Sequence, residues 1–181
     1  MKKTKKVCAV LCAVLSVSLL TSAFAGPHKG RPAISSGEAN VVRWNGIDGV
    51  ITALNVDNPV GNIHSGTFPW SAGSGQALVN LKTGATSFQV EGLVINGAVF
   101  SGTAGPITAV TGTLVCNPGP TQTNRDTASV PLDAQGDAQF TGTIANIPNQ
   151  CGNPIFLIRI AAPAGAVGRW IATGADRIGG Q

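Results

Sequence analysis

The residue of this chain best suited to acid–base chemistry is His64, the single histidine beyond the first 40 positions. A neutral imidazole can take a proton from a hydroxyl or bind a metal ion. Serine hydrolysis would also need an activated nucleophile, and Ser74, which has Ala72 and Gln76 at the flanking positions, lacks the glycines of a nucleophile elbow. We therefore predict no catalytic residue and no enzymatic activity. A hydrolase that gathers residues from distant positions around His64 is the alternative.

Metal and cofactor sites are also not predicted. One histidine and one pair of oxidised cysteines cannot supply the three or four ligands that zinc requires. Asp133 and Asp137 flank Gly136, but a calcium loop needs more oxygen ligands at closer spacing, so a hairpin turn with two solvated acids is the simpler interpretation. No pair of carboxylates stands out for glycoside cleavage.

Two aromatic residues, Phe68 and Trp70, follow His64 closely in the chain. Pro69 lies between them and cannot donate to a central β-ladder, which favours a loop or an edge strand. Aromatic rings on loops often bind sugars or peptides, whereas buried rings stabilise a core. We therefore name His64, Phe68 and Trp70 as candidate ligand-binding residues for a glycan, a small ligand or a protein partner, with core packing as the alternative for the two rings.

The first 25 residues predict export. Lys2, Lys3, Lys5 and Lys6 precede an apolar run that ends in a small-residue cleavage pattern at Ala25. Such a pattern is typical of a secretory signal peptide, and the run is shorter than the about 20 residues of a membrane span. We expect cleavage after Ala25, a secreted or periplasmic protein and no stable membrane insertion. A lipoprotein signal at Cys12 is the alternative, although Leu11 fits its pattern poorly.

Charge argues against nucleic acid as a partner. Four of the twelve Lys and Arg residues lie in the leader, so the eight that remain balance the eight Asp and Glu residues. Neutralisation of phosphates needs clustered Lys and Arg side chains. The net charge of the mature chain is close to zero, and we predict no binding to nucleic acid.

A disulfide between Cys116 and Cys151 is predicted, because these are the two cysteines beyond the leader and an exported protein meets oxidising conditions. Closing a loop of roughly 35 residues contributes about 3.5 to 4 kcal/mol in the chain-entropy model.

Short alternating runs separated by Gly and Pro predict an all-β fold. The chain contains 24 Gly and 11 Pro, and no segment beyond the leader has helical periodicity. We predict an immunoglobulin-like or related antiparallel β-sandwich with roughly 8–10 strands. It covers residues 41–176, after a flexible segment at 26–40 and before a tail at 177–181.

Individual strands carry more detailed expectations. Residues 49–56 alternate and predict a strand with Val50, Leu54 and Val56 facing inward. The stretch from Leu78 to Cys116 has the most continuous strand pattern, with Phe88 and Val90 on its buried face. Residues 156–160 and 169–173 predict a final hairpin.

Part of this stretch resembles a known family. Phe88–Leu93, Ser101–Ile107 and Thr113–Leu114 resemble the middle of the chordin-type (CHRD) domain of secreted bacterial proteins. The resemblance implies an immunoglobulin-like β-sandwich. The family places a His-Ile-His motif where this chain has Ala98-Val99-Phe100, and its only Ile-His pair, at residues 63–64, comes before the strand. A histidine-dependent role is therefore not implied.

Together these features predict an exported, non-enzymatic β-sandwich protein. Its predicted role is in binding or as a structural module associated with the cell envelope.

Overall fold

The computed structural model of the chain describes residues 40–97, 99–161 and 165–179. The predicted signal peptide and all but the last residue of the predicted flexible segment lie outside these ranges. No helix among the described residues has the length and apolar character needed to cross a membrane. The strands are β1 (Val41–Gly49), β2 (Trp70–Ser71), β3 (Ser74–Asn80), β4 (Ala85–Glu91), β5 (Val94–Ile95), β6 (Ala109–Cys116), β7 (Thr123–Asp126), β8 (Val130–Pro131), β9 (Ala138–Thr143), β10 (Ile155–Ala161) and β11 (Val167–Gly179).

Nine of these strands form one antiparallel sheet, in the order β7-β6-β10-β11-β1-β3-β4-β9 with β8 paired to β6, and β2 pairs separately with β5. The sheet curls on itself, because Phe88 of β4 lies 5.6 Å from Phe156 of β10, measured between ring centroids. Three strands separate β4 from β10 along the pairing order. The all-β prediction is confirmed, whereas nine of the strands belong to one continuous sheet and the sandwich stays a prediction.

The core lies inside the curl of the sheet. Strand β4 shows how alternation along a strand identified the buried side chains. Phe88 and Val90 are buried, while Glu91, the last residue of β4, is exposed, as the alternation predicted. Phe88 pairs in register with Phe140 of β9, and their rings stack at 5.8 Å. Gly112 of β6 faces this cluster, and a Cβ atom there would lie 2.7 Å from Phe156 and 2.8 Å from Phe88. A glycine is therefore needed where the two sides of the curl approach most closely.

The longest pairing joins the first and last strands. β1 and β11 are in register from Val42 opposite Gly179 to Gly49 opposite Ala172. Residues 177–179, placed in a tail by the sequence, thus extend β11. The predicted final hairpin is present, as β10 pairs with β11 through register shifts near Arg159.

The predicted strand at residues 49–56 is wrong beyond Gly49. Val50 is buried, but Leu54 and Val56 are 54% and 53% exposed instead of facing inward. At Val50 the backbone turns to bond Trp70, whose N–H donates to the Val50 carbonyl at 2.9 Å. The segment that follows makes a turn in which the Thr52 hydroxyl donates to the Val56 carbonyl at 2.7 Å. Alternation alone could not make a strand there, because no neighbouring strand supplies ladder partners.

The predicted disulfide is confirmed. Cys116, at the end of β6, is bonded to Cys151, with 4.7 Å between the Cα atoms. Asn117 reinforces the crosslink, since its amide donates to the Gln150 carbonyl at 2.9 Å and accepts from the Gly152 N–H at 2.8 Å. The loop before β10 is therefore fastened to the end of β6 by one covalent bond and a polar clamp.

Candidate functional site

His64 is paired with a carboxylate. Its Nδ1 lies 2.5 Å from Asp57 Oδ2, with 65% of the histidine side chain and 39% of the aspartate side chain exposed. The arrangement leaves Nε2 as the ring nitrogen that faces away from the acid. In the described part of the chain this contact is the one side-chain hydrogen bond of His64.

Ser65 occupies the other oxygen of the same carboxylate. Asp57 Oδ1 accepts hydrogen bonds from the Ser65 N–H at 2.9 Å and from the Ser65 hydroxyl at 3.3 Å. The buried hydroxyl also accepts from the Asn58 N–H at 2.8 Å. The hydrogen bond from His64, followed by the bonds from Ser65, lowers the pKa of Asp57 against the opposing effect of burial. Asp57 therefore works as an ionised clamp that closes the loop between residues 57 and 65.

The last strand anchors this loop to the sheet. Ser65 forms a parallel bridge with Trp170, in which the Trp170 N–H donates to the His64 carbonyl at 3.0 Å. The indole of Trp170 donates to the Asn58 carbonyl at 2.9 Å. Arg169 adds a further bond, from Nη1 to the Ser65 carbonyl at 2.8 Å. The residues around His64 are thus positioned by β11, which is remote from them in sequence.

A cleft of about 250 Å³ opens beside His64. Arg159 lines it, but its guanidinium is already bonded, from Nε to the Gly168 carbonyl at 2.8 Å and from Nη2 to the Val167 carbonyl at 3.0 Å. Burial lowers the pKa of Arg159, and the nearby Asp126 opposes that shift. Arg159 therefore serves the β10–β11 hairpin. The cleft is lined by Asn62, Ile63, His64, Arg159, Val167, Gly168 and Arg169.

The structure places the two candidate aromatic residues differently. Trp70 is 2% exposed and belongs to the core, which is the packing alternative for that ring. Phe68 is half-buried and meets Phe100 edge to face, with ring centroids 6.4 Å apart. Trp70 therefore lacks the open face that a flat sugar platform requires, whereas the ring of Phe68 is only partly covered.

A smaller and mainly apolar cavity of about 120 Å³ lies next to these rings. Arg169 is the one charged residue that lines it, and the same residue also lines the cleft beside His64. The cavity walls are Gly66, Thr67, Phe68, Trp70, Ile95, Pro106, Ile107, Ile160 and Arg169.

Sequence reasoning missed a group of exposed apolar side chains on two loops. Among the described residues, five of the six large hydrophobic side chains that are exposed lie on the loops after β1 and after β5. We call these five the apolar end: Ile51, Leu54, Val56, Val99 and Phe100. The segment 66–70 connects the loops, as Asn55 N–H donates to the Thr67 carbonyl at 2.8 Å and Phe68 contacts Phe100.

One signal for this surface was present in the sequence. Val99 and Phe100 follow the Asn96-Gly97 turn after one intervening residue, in a position where polar residues are usual. Val99 is 89% exposed. The apolar residues of the other loop gave no such signal, because their alternation is that of a half-buried strand.

The hydrolase alternative, which stays a prediction, has an acid beside His64 in Asp57. The hydroxyl nearest in sequence, that of Ser65, lies 3.3 Å from Asp57 Oδ1 and 3.2 Å from the Gly66 carbonyl, and these two acceptors share its one proton. Within the described ranges, no group of three or more His, Cys, Asp or Glu side chains is arranged to hold a metal ion.

Comparisons of the chain with protein-family models, with curated proteins and with solved structures found no match. The resemblance to the chordin-type domain therefore stays a prediction.

Proposed function

We propose that this chain is an exported, non-enzymatic binding module whose binding surface is the apolar end. The observation that carries the proposal is the exposure of Ile51, Leu54, Val56, Val99 and Phe100 on two loops that each contact the segment 66–70. Scattered apolar side chains are normal on a protein surface, whereas a group that lies together usually marks an interaction site.

Burial energetics support this surface as a place for a partner. Fully burying a side chain such as Leu or Ile contributes about 1.5–3 kcal/mol relative to leaving it in water. Ile51 and Val99 are each 89% exposed and so gain almost none of this within the chain. A ligand or partner with apolar surface would recover that free energy, and loops held by a rigid sheet are the usual carriers of such contacts.

The polar network beneath the loops supports the same role. Asp57 is bonded to His64 and Ser65, and Ser65 is bridged to Trp170 of β11. These polar groups are engaged in holding the loop, which favours positioning over catalysis. A loop fixed before binding loses less conformational entropy when it binds. The expectation of export, which depends on the leader, belongs to this proposal.

The test is binding of a neutral apolar dye, Nile red, to the folded protein. We expect dye fluorescence to rise with the wild-type protein and to fall at least about threefold with the double variant Leu54→Ser/Val99→Ser, since each replaced side chain contributes contact area. Ile178→Ser is the matched control, because Ile178 is 60% exposed but lies on β11, outside the apolar end.

Circular dichroism should show that all three proteins are folded. Equal dye binding by the double variant and the wild type, or absence of dye binding by the wild type, would contradict the proposal.

A further inference from the structure

From the small apolar cavity and the arginine that borders both it and the neighbouring cleft we infer a specific ligand class. We propose that the cavity of about 120 Å³ beside Phe68 binds the apolar group of a small carboxylic acid, and that Arg169 binds the carboxylate. This inference rests on the proposed binding role and deepens it, since it names the chemistry of the ligand.

The size and lining of the cavity determine which apolar group the ligand carries. An apolar cavity on the order of 150 Å³ accepts a benzene molecule, so a volume slightly below that suits a branched aliphatic group of about four carbons. Its walls include the side chains of Phe68, Trp70, Ile95, Ile107 and Ile160. Such walls offer mainly dispersion contacts and few hydrogen-bonding partners, which disfavours a sugar or another polyhydroxylated ligand.

Arg169 determines the charged group of the ligand. Its side chain is 49% exposed, and one nitrogen, Nη1, donates to the Ser65 carbonyl at 2.8 Å. In the part of the chain that the structure describes, Nε and Nη2 of Arg169 make no hydrogen bond. A guanidinium donates through a planar fork that matches a carboxylate, and two such bonds fix the orientation of the ligand as well as its affinity.

The charges around Arg169 leave it able to attract an anion. The nearest carboxylate oxygen, Asp57 Oδ1, is 3.9 Å away and already accepts from Ser65, while the other oxygen of Asp57 is bonded to His64. The remaining basic group of the neighbouring cleft, Arg159, is held by backbone carbonyls and lies 3.8 Å from Asp126. Arg169 is therefore the basic side chain at the cavity with donors to spare.

The position of Arg169 connects the apolar cavity with the polar cleft. Arg169 lines both the apolar cavity and the polar cleft that contains His64, so a ligand seated in the cavity can direct its carboxylate toward the cleft. Phe68, one wall of the cavity, also contacts Phe100 of the apolar end. The proposed ligand would therefore lie at the border of the surface to which we assign binding.

The first experiment varies the ligand and leaves the protein unchanged. Isothermal titration calorimetry with 3-methylbutanoate should give a dissociation constant on the order of 1 mM, as expected for a small ligand. Its uncharged isostere 3-methylbutanamide should bind at least about tenfold more weakly, because the charge-assisted bonds are lost. Acetate and inorganic phosphate, which lack the apolar group, should show no measurable binding.

The second experiment varies the protein. Arg169→Gln should weaken 3-methylbutanoate binding at least about tenfold. The matched control is Arg177→Gln, on the same strand, since Arg177 also donates one bond to a backbone carbonyl, that of Pro154 at 2.9 Å. Ile107→Phe fills the cavity without changing the charge and should also abolish binding, which keeps the test decisive if Arg169→Gln unfolds.

The outcomes separate this inference from the proposed function. Absence of 3-methylbutanoate binding, equal binding of the amide, or binding that survives Ile107→Phe would overturn the carboxylate site. Nile red binding that still depends on Leu54 and Val99 would at the same time leave the apolar end intact. Binding of phosphate as strong as that of 3-methylbutanoate would show a general anion site and would also overturn the inference.

Discussion

Two loops of this protein are fastened to the sheet by different chemistry. The loop before β10 is held by the Cys116–Cys151 disulfide and by Asn117. The loop after β1 is held by the carboxylate of Asp57, by Ser65 and by the bridge from Ser65 to Trp170. The first attachment is covalent and independent of pH, whereas the second depends on an ionised group. Three of the five residues of the apolar end, Ile51, Leu54 and Val56, are carried by the loop with the reversible attachment.

The difference suggests a division of roles. A covalent crosslink limits the unfolded chain and stabilises the whole domain. Hydrogen bonds to a partly exposed carboxylate contribute less, but they set the local shape of a loop. Segments that bind ligands are commonly drawn from the less stable parts of a fold. The predictions below test whether the two loops differ in this way.

The largest effect is expected for loss of the disulfide. The double variant Cys116→Ser/Cys151→Ser should unfold with a free energy lower by about 2–5 kcal/mol, because the unfolded chain gains freedom. Urea unfolding without reductant measures the change, and wild-type protein treated with reductant is the control. Unchanged midpoints in both samples would show that the crosslink contributes nothing to stability.

Asn117 should have the next largest effect. Asn117→Gly keeps a residue that accepts the positive φ of 52° at this position but removes both side-chain hydrogen bonds. The free energy of unfolding should fall by about 1–3 kcal/mol. The same substitution at Asn55, which has a φ of 63° and lies in the other loop, is the matched control and should change stability less. A smaller loss at Asn117 than at Asn55 would contradict the predicted ranking of the two loops.

Trp170 tests the attachment of the loop after β1. Trp170→Phe keeps an aromatic ring in the core but removes the indole bond to the Asn58 carbonyl. Stability should fall by about 1–2 kcal/mol, from the lost hydrogen bond and the smaller ring. Amide hydrogen exchange should accelerate at Ser65 and Asn58 more than at Asn117. Uniform acceleration across the sheet would show that the substitution acts only through the core.

The smallest effect concerns pH. Because the pKa of Asp57 is lowered in the folded protein, the unfolded state binds more protons as the solution is acidified. The contribution of Asp57 is therefore fully present above the unfolded pKa near 3.8 and is lost as pH falls through the lower folded value. Asp57→Asn should reduce the difference in urea midpoint between pH 7 and pH 3.

The control for this measurement is Asp48→Asn, at an exposed position of β1. It should leave the difference between the two pH values as in the wild type. A difference that is unchanged by Asp57→Asn would mean that the carboxylate does not stabilise the loop.

Much of the fold followed from local patterns. Alternation with period two predicted the buried face of β4, because successive side chains of a strand point to opposite sides. The pairing of Cys116 with Cys151 followed from the count of cysteines and the expected compartment. Alternation failed at residues 50–56, where the same pattern occurs without a neighbouring strand to complete a ladder.

The candidate site was less accessible to sequence reasoning. His64 was singled out for its side chain, but no local pattern pointed to Asp57 as its partner. Nothing local links either residue to Arg169, which is 2.8 Å from the Ser65 carbonyl only because β11 runs beside that loop. Phe68 and Trp70 are close in sequence and both line the small cavity, yet Phe68 is half-buried whereas Trp70 is in the core.

Residue types and their local spacing were enough to establish strands, turns and the disulfide, since each depends on neighbours in the chain or on chemistry that few residues share. The tertiary structure decided which alternating run obtains a partner, which aromatic ring is covered and which charge reaches the cavity. These depend on the curl of the sheet and on the pairing of β1 with β11, which bring residues more than one hundred positions apart within hydrogen-bonding distance. Pairings of that range leave no period in the chain, so only the folded structure reveals them.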